Sequence, residues 1–72
     1  MSSIALEKMS EIETAIAEAI ERVERQRRLI AEFQAKGYNV TAPTTLLSCL
    51  LANLRTLEDR RRHELRADLV AV

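Results

Sequence analysis

Gly37 and Pro43 are the only glycine and the only proline in the 72 residues. These two residue types are the strongest local punctuation a chain has, and everything on either side of them is built from helix formers. The chain therefore reads as all-α, with two long helices joined by one short polar connection. The expected boundaries are a helix over about 3–36, a loop over about 37–42 and a helix over about 43–71, together a single domain spanning residues 1–72. At ~1.5 Å per residue the first helix is roughly 50 Å long. A short connection between helices of similar length makes them antiparallel neighbours, an αα-hairpin.

The ends of the helices carry their own signals. Ser3 can cap the first helix, although Ser10-Glu11-Ile12-Glu13 also has the form of a capping box. With Gly37 in the left-handed position just past the helix, Phe33 and Tyr38 become the pair that makes the hydrophobic contact of a Schellman motif. Both aromatic residues are then structural. Pro43 suits a first-turn position and disfavours helical geometry at Ala42, so Thr41 or Ala42 is expected to cap the second helix.

On the first helix Met9, Ile12, Ile16, Ala19, Val23, Ile30 and Phe33 follow steps of three and four, with Gln26 in the one missing step, and this makes a coiled-coil-like seam. Ala15 and Ile20 widen the stripe. The second helix places Leu46, Leu47, Leu50, Leu51, Leu54 and Leu57 over roughly 140° of arc, then Leu65, Leu69 and Val72 more sparsely. Both stripes are wider than one partner helix can cover. If the hairpin closes near residue 40, positions whose numbers sum to about 80 lie level. Phe33 then meets Leu47, Ile30 meets Leu50, Val23 meets Leu57, and Ile16 meets Glu64 and Leu65. The acidic start of the first helix (Glu7, Glu11, Glu13, Glu18, Glu21 against Lys8) faces Arg60, Arg61, Arg62 and Arg66. Exposed pairs are worth about 0–1 kcal/mol each, so the pattern selects the antiparallel register rather than holding the fold. Arg27 and Arg61 fall within the stripes, as stems lying along the seam or, with Gln26 and Asn53, as a polar layer that specifies register.

A chain this short buries only about 60% of its unfolded surface and usually needs a disulfide, a metal or a partner. One cysteine and one histidine supply neither an internal disulfide nor the roughly four ligands of a structural zinc site. Oligomerisation is the route left. The start has no basic segment followed by an apolar one, and the longest nearly unbroken apolar run, Leu46–Ala52 with Ser48 inside it, is far short of the ~20 residues that span a bilayer, so a cytoplasmic, non-membrane protein is expected.

The search for chemistry comes back nearly empty: no phosphate-cradling glycine loop, no His-Glu-x-x-His, no Cys-x-x-Cys. His63 has no nucleophile or orienting partner and reads as surface. Cys49, among leucines, reads as a small buried hydrophobe. Glu18, Glu21 and Glu24 share a face but lack a histidine, so no metal, cofactor or small-molecule substrate is expected. The functional alternative is an arginine band: Arg25 and Arg28 with Arg60 and Arg62, combined in a dimer, could contact phosphates. Zero net charge and interleaved carboxylates weigh against nucleic acid.

The pattern Arg25-Gln-Arg-Arg-Leu-Ile-Ala-Glu-Phe33, then Gly37, then Thr45-Leu-Leu with Leu50, Leu54, Leu57 and Arg61, resembles a group of short uncharacterised bacterial proteins read as helical hairpins, a resemblance that implies the fold and no activity. The layout is also similar to small sporulation phosphatases that act on response regulators, whose second helix carries Ser-Gln-Glu-Leu-Asp. The matching stretch here is Ser48-Cys49-Leu50-Leu51-Ala52, which lacks the amide and acidic groups, so that activity is not carried over.

The sequence thus points to an antiparallel hairpin that dimerises into a four-helix bundle and serves as a non-enzymatic interaction or regulatory module, with a second copy or another helical protein as partner. Ile16, Ile20, Val23, Ile30, Leu47, Leu50, Leu51, Leu54 and Leu57 are the candidate interface. Leu50, Leu54 and Leu57 should lie near its centre.

Overall fold

The computed structural model describes the backbone of residues 3–70 and the side chains of Glu7 and residues 9–66. Two helices, α1 (Ser3–Ala35) and α2 (Thr41–Val70), pack against each other as an antiparallel hairpin, with no strand among the described residues. The Cα trace is a rod of 56 × 16 × 12 Å. Helix α1 runs unbroken through Ser10, so the capping-box sequence there lies inside the helix. The expected end of α2 at residue 71, and seam positions Leu69 and Val72, lie outside the described residues.

The exit from α1 is the Schellman motif that the sequence foretells. Gly37 has φ +74°, Tyr38 donates its N–H to the Phe33 carbonyl at 2.8 Å, and Gly37 donates to the Gln34 carbonyl at 3.1 Å. The Phe33 and Tyr38 rings meet edge to face with centroids 5.6 Å apart. Entry into α2 differs from expectation. The helix starts at Thr41, two residues before Pro43, so Ala42 is helical. The cap comes from Asn39, whose Oδ1 accepts the Thr41 N–H at 2.8 Å, while the Val40 carbonyl accepts the Thr44 N–H. Asparagine makes this bond two residues ahead of itself, and Pro43 sits harmlessly in the first turn, where its missing N–H is not needed.

The register also differs, by one heptad. The amide Nε2 of Gln26 donates to the Pro43 carbonyl at 2.9 Å, and Arg61 reaches Glu13 at 3.4 Å. In the expected register Gln26 and Pro43 would sit about 16 Å apart along the axis, beyond any side chain's reach. Residues whose numbers sum to about 73 are level instead, which sets Ile30 beside Pro43, Gln26 beside Leu47, Val23 beside Leu50, Ala19 beside Leu54 and Ile16 beside Leu57. Each of these is buried or half-buried. Toward the open end the layers turn polar on the α2 side, with Ile12 level with Arg61 and Met9 level with Glu64.

Burial is lopsided. Among the described residues Ile16, Ala19 and Val23 are the buried apolar ones and Gln26 the buried polar one, all on α1, whereas Leu47, Leu50, Leu54 and Leu57 of α2 are only half-buried. Small Ala19 and Val23 disappear beneath the larger leucines opposite, and those leucines keep their own flanks in water because one narrow helix cannot cover them.

Two outcomes follow from the loop and the seam. A Cβ at residue 37 would meet nothing within 4 Å, so Gly37→Ala should cost only the left-handed backbone strain, about 1–2 kcal/mol, read as a lowered urea midpoint with unchanged slope. Gln26→Leu should leave stability equal or higher, since a carbonyl inside a helix keeps its own partner. Its loss should instead make registers one heptad apart nearly equivalent, giving doubled amide resonances; a single set at full intensity would refute the register role.

Candidate interaction surfaces

At 100° per residue, the seam of the hairpin leaves two long faces on opposite sides. One holds an open groove of about 530 Å³ whose lining includes Leu29 of α1 and Leu46 and Leu50 of α2, with Arg22, Arg25 and Glu32 around them. Thr56, Asp59, Arg60, His63 and Glu64 line a second, more polar depression along α2. The other long face carries Ile20 of α1, nine residues and hence half a revolution from Leu29, together with half-buried Leu51 of α2. Ile20 remains 42% exposed and Leu46 50% exposed.

The sequence-derived interface set divides accordingly. Ile16 and Val23 are buried within the hairpin, which makes them seam residues with no surface left for a second chain. Ile30, Leu47, Leu50, Leu54 and Leu57 are half-buried in the same seam, their outer flanks open. Ile20 and Leu51 face outward. Leu29 was outside the three-four stripe on which sequence reasoning relied, and only its pairing across the groove with Leu46 brings it out.

The polar residues are equally informative. Arg27 and Asn53 are exposed, so the polar layer reduces to Gln26, while Arg61 lies at the seam's edge with its head on Glu13, as a stem along the seam would. This is the cross-helix ion pair among the described residues; Arg25 pairs with Glu21 at 3.2 Å and Arg62 with Asp59 at 3.4 Å, each within its own helix. All three are solvent-accessible and so contribute little to stability. Within one chain the arginine band does not form. Arg25 and Arg28 lie about 18 Å or more along the rod from Arg60 and Arg62, and two of the four are already paired.

Cys49 is a correction: it is a free and exposed thiol, because the inward leucines at 47, 50 and 54 turn the position between them toward solvent. The hydroxyls near it are occupied. Ser48 donates to the Thr44 carbonyl at 3.3 Å and Thr45 to the Thr41 carbonyl at 2.9 Å, each within its own helix. Among the described residues no group of three or more His, Cys, Asp and Glu side chains is placed to hold a metal ion, and no helix is long and apolar enough to cross a membrane.

Comparison with known proteins brings no match to a family model, a curated protein or a solved structure. Any functional reading therefore stands on the surfaces above. Exposure of Cys49 makes one direct statement: a thiol-specific chromogenic reagent should label one group per chain in native buffer, within seconds to minutes and without denaturant, and protection until unfolding would return Cys49 to the interior.

Proposed function

We propose that this chain is a non-enzymatic interaction module whose working form is self-associated, two hairpins pairing through their leucine-bearing faces into a four-helix bundle. One observation carries the reading. A compact monomer of 8.2 kDa exposes about 4,500 Å², whereas this rod exposes 5785 Å². The excess, about 1,200 Å², follows from the elongated shape, and burying the roughly 800 Å² per partner of a standard specific interface would bring each chain back toward the compact value. Ile20, Leu29, Leu46 and Leu65 are large apolar residues within that surface.

The chemistry supports an interaction role over catalysis. The one histidine is exposed, the hydroxyls of Thr45, Ser48 and Thr56 are bonded to their own helix, and the open groove offers apolar walls with arginines and a glutamate at its rim, a lining suited to another helix. A regulatory role would follow if a second helical protein competes with self-association for these faces.

Sedimentation equilibrium tests the proposal. A dimer dissociating in the micromolar range or tighter is the expected result, with helicity and melting temperature rising with concentration as mass action requires. A folded monomer at every concentration would sink it.

A further inference from the structure

Resting on the self-association proposed above, the direction and the face of the pairing follow from charge, symmetry and the position of one residue. The loop half of the rod, residues 20–53, carries Arg22, Arg25, Arg27, Arg28 and Lys36 against Glu21, Glu24 and Glu32, a net +2, and since the chain is neutral the rest carries −2. Over a length of 56 Å the hairpin is an electric dipole. Two such rods lying side by side attract when antiparallel and repel when parallel.

Full antiparallel overlap places a two-fold axis midway along α1, level with Ile20. An axis lying between the two layers and perpendicular to the rods stacks α1 on α1 and α2 on α2. In such an isologous interface residue i meets j while j meets i, and a residue on the axis meets its own copy. Ile20 is a large apolar side chain, 42% exposed, at that level. Glu13 and Arg27 lie seven residues to either side of it, on the same line of the helix. The two-fold therefore sets Glu13 of each copy, whose carboxylate also meets Arg61 of its own chain, against Arg27 of the other, twice. Arg27 has no ion-pair partner within its own chain among the described residues.

The opposite face fits this symmetry poorly. Leu29 lies nine residues from the axis, so full overlap would set it against the Glu11 carboxylate, and the Leu29–Leu46 groove would have no apolar counterpart. Leu51, by contrast, is half-buried nearly level with Ile20 and on the same side, so the two form a patch that the axis maps onto itself.

We infer that the occupant of the Ile20–Leu51 face is a second copy of this chain, packed antiparallel with Ile20 on the two-fold axis and Glu13–Arg27 pairs flanking it.

Two measurements on the full chain decide it. With spin labels at Lys36→Cys in a Cys49→Ser background, the label-to-label distance in the dimer should be on the order of 50 Å; roughly 10–25 Å would mean parallel rods and overturn the inference while leaving self-association intact. Ile20→Glu should weaken the dimer about tenfold or more, with helicity at high concentration retained because the residue is outward-facing, whereas Leu29→Glu should leave it within about twofold. If Leu29→Glu dissolves the dimer and Ile20→Glu does not, the groove is the interface and the face assignment fails. A chain monomeric at all concentrations removes the self-association reading itself, and this inference with it.

Discussion

The hydrogen bond from Gln26 to the Pro43 carbonyl is the constraint on which the rest of the hairpin depends. A seam of leucines facing small aliphatics gains almost the same burial in registers one heptad apart, because hydrophobic contact is non-directional. A buried amide is directional. Leaving its donor unsatisfied costs about 1–3 kcal/mol, and in this register the donor reaches a carbonyl at the first turn of α2. The same register then sets Glu13 beside Arg61, places Ile16, Ala19 and Val23 under Leu57, Leu54 and Leu50, and fixes which leucine flanks remain outside. Surface and seam are consequences of one another here.

What was legible in the sequence divides along the same physical line. Local geometry was readable: Gly37, Phe33 and Tyr38 announced the Schellman closure because each has a fixed offset from the helix end and only glycine takes φ near +74° without strain. The antiparallel arrangement was readable from connection length. The register was not, since sliding α2 by seven residues carries Leu50 onto Leu57 and Leu47 onto Leu54, and a periodic pattern cannot report its own phase. The phase is set by the Gln26–Pro43 bond; Asn39 starts α2 at Thr41, two residues before Pro43, its capping bond prevailing over the preference that Pro43 exerts on Ala42.

Candidate surfaces were legible in amount and less so in place. Stripe width correctly implied leucine flanks facing water, yet the same stripe counted Ile16 and Val23 as available when the seam consumes them. Cys49 was misplaced for a related reason: sequence neighbours among leucines are not spatial neighbours on a helix, where only residues three or four apart share a face. Leu29 escaped notice because it belongs to no stripe on its own helix. Its apolar context is supplied across the seam by Leu46, a relation that exists only once the register is set.

The lopsided core bears on the self-association proposed for this chain. Ile16, Ala19 and Val23, the fully buried apolar residues among those described, are few against the backbone entropy of ordering two helices, about 1–2 kcal/mol for each residue fixed, so the half-buried leucines of α2 have to carry much of the burial. In the proposed dimer the flanks on the Ile20–Leu51 side become interior, and the apolar burial per chain rises without any new residue type. Folding and pairing then form one equilibrium rather than two, as in obligate dimers whose stability is inseparable from protomer concentration. A neutral chain with opposite charges at its two ends suits such an equilibrium. In the proposed dimer the dipole would orient the encounter at long range, where apolar contacts exert no force, and the burial of Ile20 and Leu51 would hold the pair only after the rods are aligned.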